Sequence, residues 1–165
     1  MCQPTSKKME SSKNDLVRLR LLIADDQPRV RQSLEALLTA LRWSIPSPTD
    51  YPIDIIGKAD NGQQLVEQVQ TLRPDVVVLD LPTHASAQHH FLPGSKWDGL
   101  AAIRTIKSRW PAVRIVVLTM YATDRAAVLS AGADAFLLKG CPATELLEAV
   151  MPAPPDSLGG EEGAA

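Results

Sequence analysis

Five side chains in this sequence have the chemical types that phosphoryl transfer needs: three acids, a hydroxyl and an amine. They are Asp25, Asp26, Asp80, Thr119 and Lys139. Clustered carboxylates raise one another's pKa unless a cation lies among them, and a hard divalent ion, Mg²⁺ or Mn²⁺, suits such a cluster of oxygen ligands. A free carboxylate beside that ion can attack phosphorus and form an acyl phosphate. The amine and the hydroxyl can then bind the phosphoryl oxygens.

Taken singly, each of these residues has a more ordinary interpretation. An acid after a buried strand is often a helix cap, and a lysine there is usually a solvated strand end. The hypothesis of a site therefore depends on whether the fold brings the five residues together.

Apolar runs alternate with helical patterns along the chain, and they predict where these residues lie. The predicted strands are Leu19–Ala24, Ile53–Ala59, Asp75–Leu81, Val113–Thr119 and Asp134–Lys139 (β1 to β5). The predicted helices are Arg29–Leu41, Gly62–Leu72, Gly99–Trp110, a short one around Thr123–Ser130, and Ala143–Val150 (α1 to α5).

Five apolar strands, each followed by a helix, predict an α/β fold with a parallel sheet covered on both faces. Each of the five polar residues lies at, or just after, the carboxyl end of a predicted strand. Because ligands of open parallel sheets bind at that edge, we expect the five side chains to converge there.

The chain divides into one domain with two tails. Residues 17–151 carry the alternating pattern, whereas the polar residues 1–16 and the Pro- and Gly-containing residues 152–165 are predicted to be disordered. Two connections, 42–52 and 81–97, exceed the usual ~2–6 residues of such units and are interpreted as inserted loops.

Composition excludes several classes. The 165 residues carry a formal net charge of −2, which argues against autonomous DNA binding. No apolar run is long enough to span a bilayer, and the start of the chain lacks the apolar core of a secretory signal. We therefore expect a cytoplasmic protein without direct nucleic-acid or membrane binding.

The sequence resembles the receiver domain of bacterial two-component response regulators, and most closely receivers of the NarL/FixJ type. The resemblance runs from about Leu19 to Val150. It rests on IADDQPRVRQSLEALL, GKADNGQQLVEQVQTLRPDVVVLDL, WDGL, VRIVVLTMYA and AGADAFLLKG. It implies the flavodoxin-like (βα)5 fold, with a sheet of strand order 2-1-3-4-5.

The resemblance also implies roles at the predicted site. Asp80 matches the phosphoacceptor aspartate. Asp26 matches a direct Mg²⁺ ligand, and Asp25 one that acts partly through water. Pro82 would offer its backbone carbonyl to the same ion.

Three further residues match the parts that respond to phosphorylation. Thr119 matches the switch hydroxyl, and Lys139 the lysine that pairs with the phosphoryl group. Phe136 matches the aromatic residue that turns inward as Thr119 engages phosphate. The surface of α4, β5 and α5 would then change its state.

The implied partners are a sensor histidine kinase or a phosphotransfer protein, with a homodimer possible on phosphorylation. The implied role is a self-phosphorylating signalling domain rather than a metabolic enzyme. Receivers of this type normally precede a DNA-binding helix-turn-helix, but the residues after Val150 are too few for one. The sequence therefore predicts a receiver without an output domain, or the remnant of a transcriptional regulator.

The chain departs from the family pattern in four places. About ten extra residues separate Asp80 from Asp98-Gly99. The segment between Thr119 and Lys139 is short, which predicts a stubby α4. Met120 follows Thr119 where small residues are common, and Gly140 follows Lys139 where many receivers have proline.

Two other functions stay open at this point. One is a pseudo-receiver that works by protein interaction without phosphorylation. The other is a Mg²⁺-dependent phosphatase, although Pro82 occupies the position where a second acid would be needed. His84, His89 and His90 lie in the inserted loop, and adjacent histidines are poorly spaced for one tetrahedral metal site. A solvated loop is the preferred interpretation.

Overall fold

A computed structural model describes residues 18–44, 52–81, 99–120, 122 and 125–151. The five strands are β1 (Leu19–Ala24), β2 (Ile53–Ala59), β3 (Val76–Asp80), β4 (Arg114–Thr119) and β5 (Ala135–Leu138). The described helices are α1 (Pro28–Ser44), α2 (Gly62–Leu72), α3 (Gly99–Arg109), α4 (Arg125–Ser130) and α5 (Ala143–Val150).

The strands form one parallel sheet of order β2-β1-β3-β4-β5, as predicted. β3 is central and wholly buried, since all five of its residues are buried. A strand covered on both faces cannot alternate apolar and polar residues, which explains why β3 reads as a continuous apolar run ending in one acid.

Two apolar cores cover the faces of the sheet. One contains Leu22, Val77 and Val117 and extends to α2, α3 and α4. The other contains Ile23, Val78 and Val116 and extends to α1 and α5. Successive strand residues point to opposite faces, so each strand is packed into both cores. This packing fixes the position of the carboxyl ends of the strands.

Local signals in the sequence set several element ends. Asn61 caps α2, because its side-chain oxygen accepts a hydrogen bond of 2.8 Å from the Gln64 amide. Gly132, two residues after α4, has φ of 108°, a left-handed conformation that glycine adopts readily at the end of a helix. The six residues of α4 also confirm the short helix expected there.

One helix is longer than predicted, and several predicted segments lie outside the described residues. α1 runs to Ser44, three residues past the predicted end, because LTALRWS contains no helix-breaking residue. Residues 1–17, most of the 42–52 connection, residues 82–98 and the tail after Met151 lie outside the described residues. Among the described helices, none has both the length and the apolar character that crossing a membrane requires.

Candidate functional site

Asp80 is the last residue of the central strand, and its side chain has no exposed surface. It lies opposite Leu118 in the β3–β4 register. The next amide, that of Leu81, donates a hydrogen bond of 2.9 Å to the carbonyl of Leu118 and so continues the strand pairing past Asp80. The carboxylate is thereby held by the central pair of strands at the edge where the strands end, here called the carboxyl edge.

Lys139 supplies the cation at this carboxylate. Its Nζ forms an ion pair with Oδ2 of Asp80, and its side chain is 26% exposed. Its backbone amide donates a hydrogen bond of 2.7 Å to the carbonyl of Thr119. Lys139 is therefore fixed to β4 through its backbone and reaches β3 through its side chain.

The environment of Asp80 opposes its ionisation. Burial and the nearby Asp25 carboxyl together raise the pKa of Asp80 to about 8, although Lys139 opposes the rise. Apart from the ion pair, neither carboxylate oxygen accepts a hydrogen bond of normal geometry from a described residue. A buried carboxylate with Lys139 as its one ionic partner among the described residues is costly in an apolar surrounding, and it therefore favours a further cationic ligand.

The acidic pair after β1 divides into a buried and an exposed member. Asp25 is 3% exposed, and its Oδ1 accepts a hydrogen bond of 2.5 Å from the Gln27 amide. Asp26 is exposed. Asp25 is thus the buried acid whose carboxyl acts on Asp80.

Arg31, in the first turns of α1, also contributes to the site. Its guanidinium donates a hydrogen bond of 2.6 Å to the backbone carbonyl of Asp25. It therefore holds the turn that carries the acidic pair. An arginine in the first turns of an amphipathic helix gives no sequence signal of such a bond.

The two predicted switch residues lie on neighbouring strands. Thr119 ends β4 and is completely buried. Phe136 lies in β5, half-buried, with the guanidinium of Arg125 at 5.8 Å from its ring centroid. Beside Phe136 is an open groove of about 500 Å³ that also borders Lys139 and Glu145. The groove thus joins the ion pair to the surface of α4, β5 and α5.

The described residues fit a magnesium ion only in part. No group of three or more Asp, Glu, His or Cys side chains within the described ranges is arranged to hold a metal. The buried oxygens of Asp80, with Asp25 beside them, are nevertheless the hard donors that Mg²⁺ prefers. Pro82, whose carbonyl was predicted as a further ligand, lies outside the described residues.

The inserted connection begins and ends at fixed points. Leu81 is 4% exposed, and a Cβ added to Gly99 would lie 2.6 Å from its Cδ2. Glycine at the first position of α3 thus allows the helix start to approach the residue that follows Asp80. His84, His89 and His90 lie between these points, outside the described residues.

Comparison with known proteins identifies the family of this chain. The response regulator receiver domain family matches residues 21–151. The transcriptional regulatory protein LnrK of Bacillus subtilis is 31% identical over 135 residues, which are 81% of this chain and 52% of LnrK. The response regulator VraR of Staphylococcus saprophyticus is 26% identical over 134 residues, which are 80% of this chain and 54% of VraR.

Solved structures give the same result. The isolated receiver domain of RcsB from Salmonella enterica, with 26% identity, superposes with a TM-score of 0.59 over 79% of this chain and 84% of that domain. The receiver domain of NarL from Mycobacterium tuberculosis, with 24% identity, shares the fold with a TM-score of 0.60 over 81% of this chain and 94% of that domain. The chain spans about half the length of the curated relatives it matches. It belongs to the receiver domain family of two-component response regulators.

Proposed function

We propose that this chain accepts a phosphoryl group on Asp80 from the phosphohistidine of a sensor kinase or phosphotransfer protein. The observation that carries the proposal is the ion pair between the buried Asp80 and Lys139 at the carboxyl edge, with Asp25 and the buried Thr119 beside it. The matched family and relatives named as response regulators support the same role.

In the proposed step, an Asp80 carboxylate oxygen attacks phosphorus in line with the bond that phosphorus forms to the imidazole nitrogen. That bond breaks, and the imidazole nitrogen keeps its electron pair. Lys139 leaves its pairing with the carboxylate oxygen and binds a phosphoryl oxygen instead, because the new group carries more negative charge. The burial of Asp80 limits the access of water to the acyl phosphate.

Mg²⁺, when bound, would neutralise charge on the transferring phosphoryl group. The residues that would hold it are Asp25, Asp26 and Asp80, with the backbone carbonyl of Pro82. Asp25 and Asp80 already lie close together, and Arg31 fixes the turn that carries the two adjacent acids.

The output proposed for this step is a change in the surface formed by α4, β5 and α5. Thr119 and Phe136 lie between the acceptor and that surface, on β4 and β5. Phosphate at Asp80 would draw the hydroxyl of Thr119 toward it and vacate space into which Phe136 can turn. A partner protein or a second copy of the chain would read the result.

Phosphoramidate tests the proposal, because its phosphorus–nitrogen bond mimics that of phosphohistidine. With Mg²⁺, intact-mass analysis should show one added phosphoryl group on the wild type, and none on Asp80→Asn or in excess EDTA. A wild type that stays unmodified would favour the pseudo-receiver. Continuous phosphate release from varied phosphoesters would favour the hydrolase.

A further inference from the structure

The edge of the sheet opposite the acceptor carries a cluster of arginines. Arg18 and Arg20 lie at the start of β1, Arg73 follows α2, and Arg109 ends α3; all four are exposed. In a parallel α/β sheet the strands begin, and the intervening helices end, at this same edge. We call these four residues the arginine edge.

Contacts among the described residues hold the arginine edge together. The Arg20 guanidinium donates a hydrogen bond of 3.4 Å to the carbonyl of Arg73. The Arg73 guanidinium lies 5.7 Å from the ring centroid of Trp110, the residue after Arg109. These contacts tie the start of β1 to the residue after α2, and that residue to the end of α3, so the arginines of three elements lie in one region.

The acids nearby do not balance these charges. Asp75 uses Oδ2 to accept the Arg20 backbone amide at 2.8 Å, and Asp54 lies opposite Arg20 in the β1–β2 register. Both are exposed, and Asp134 at the same edge pairs with Lys107, so among the described residues beside them the four arginines face two carboxylates. Excess positive charge on one face of a chain whose net charge is −2 indicates an anionic partner.

The chain itself supplies such a partner beside this edge. α5 ends there, since Nε of Arg114, the first residue of β4, donates a hydrogen bond of 2.6 Å to the carbonyl of Ala149. Residues 152–165 follow directly, and all of their charged residues are acids: Asp156, Glu161 and Glu162.

The distances allow contact. β4 and β1 are separated by β3 alone, so their starts lie about 10 Å apart at ~4.8 Å per strand. Asp156 is five residues past Met151 and can reach about 17 Å in extended chain. Arg73 and Arg109 belong to helices on the face of the sheet opposite α5. Only Glu161 and Glu162, which are ten and eleven residues past Met151 and can therefore reach about 34 Å in extended chain, can contact them. A short tether gives an effective concentration in the millimolar range, at which weak charge contacts become populated.

We propose that the acidic segment 152–165 binds the arginine edge of the same chain and covers it against other anions. The contact is electrostatic and lies on the side of the sheet away from Asp80. It therefore leaves the carboxyl edge open, and it is independent of the phosphoryl transfer proposed above.

A spin label on the segment tests this proposal. In the full chain with Cys2→Ser and Cys141→Ser, a nitroxide at Ser157→Cys should broaden the amide signals of Arg20, Arg73 and Arg109. Neutralising the segment with Asp156→Asn, Glu161→Gln and Glu162→Gln should reduce that broadening at least twofold. Sodium chloride at about 0.5 M should do the same, because it screens exposed charges.

The matched control separates docking from simple proximity to Met151. Any label attached to the segment broadens signals at the end of α5. Only broadening that is lost when the three acids are neutralised is therefore evidence of binding to the arginine edge. Broadening of Arg20 and Arg73 that is unchanged in the neutralised chain would overturn the proposal. A mixing experiment provides a second test. If a ¹⁵N-labelled chain without nitroxide is broadened by a nitroxide-labelled chain without ¹⁵N, the segment binds a second copy, and the proposal is overturned.

Discussion

Lys139 pairs through its Nζ with Oδ2 of Asp80, a carboxylate with no exposed surface. One of the two residues ends β3 and the other follows β5, so the ion pair spans the end of β4, which lies between those strands. The lysine is a quarter exposed, so it can follow a new anion on the aspartate while its backbone stays bonded to Thr119. The reactivity of Asp80, its pKa and its binding of Mg²⁺ should therefore all depend on this pair.

Lys139→Met should slow phosphorylation of Asp80 by phosphoramidate about 100-fold, the effect typical of losing one preorganised charged donor. Two causes act together. The phosphoryl oxygens lose a cation, and the pKa of Asp80 rises further because the lysine that lowers it is gone. Intact-mass time courses measure the rate. Lys58→Met, which removes the exposed partner of Glu35, is the control and should leave the rate unchanged.

The raised pKa of Asp80 should destabilise the metal-free protein as pH rises. The folded state keeps the proton up to a pKa of about 8, whereas the unfolded chain releases it near the ordinary value of 3.8. The stability that this group contributes is therefore present below that ordinary value and is lost as pH rises toward the folded pKa. Asp80→Asn removes the titration.

Urea unfolding in EDTA at pH 5.5 and pH 8.5 measures this effect. Relative to Asp80→Asn, the wild type should lose at least about 1 kcal/mol of unfolding free energy between the two pH values, since one pKa unit corresponds to about 1.4 kcal/mol. Asp54→Asn alters an exposed carboxylate of β2 and should show no such gap. Parallel pH profiles for wild type and Asp80→Asn would contradict the assigned environment.

Magnesium should bind more tightly at pH 8 than at pH 6, because the ion and the proton compete for the same carboxylate. We expect a several-fold fall in the apparent dissociation constant, measured by the Mg²⁺-dependent rise in melting temperature. Asp80→Asn and Asp25→Asn should both lose most of that rise. Equal Mg²⁺ stabilisation in all three proteins would place the ion elsewhere.

Arg31→Met should weaken both folding and magnesium binding. It removes the hydrogen bond to the Asp25 carbonyl, which corresponds to about 1 kcal/mol of unfolding free energy, and it loosens the turn that carries the acids. Arg29→Met changes an exposed arginine two positions earlier and serves as the control. If both variants bind Mg²⁺ like the wild type, Arg31 has only a structural role.

The sequence predicted the sheet because β3 and its neighbours are continuous apolar runs, and the order of the strands followed from the family resemblance. It predicted that Asp80 and Lys139 meet, since both follow strands that end at one edge. Asn61 and Gly132 are also readable from local sequence. Asn61 supplies the side-chain acceptor that caps α2, and Gly132 adopts the positive φ that follows α4.

Other features depend on tertiary contacts that no local pattern encodes. The bond from Arg31 to the Asp25 carbonyl joins a helix to a turn. The burial of Asp25 with exposure of Asp26 depends on how that turn is packed. The stacking of Arg73 on Trp110 joins the ends of two helices that are distant in sequence.

Reductive trapping tests the central claim most directly. Borohydride reduces the aspartyl phosphate of the phosphorylated protein to homoserine. Peptide mass mapping then locates the modified position. We expect homoserine at position 80 alone, and only when both the phosphodonor and Mg²⁺ are present. Homoserine at position 25 or 26, or none on a wild type that carries the phosphoryl group, would contradict it.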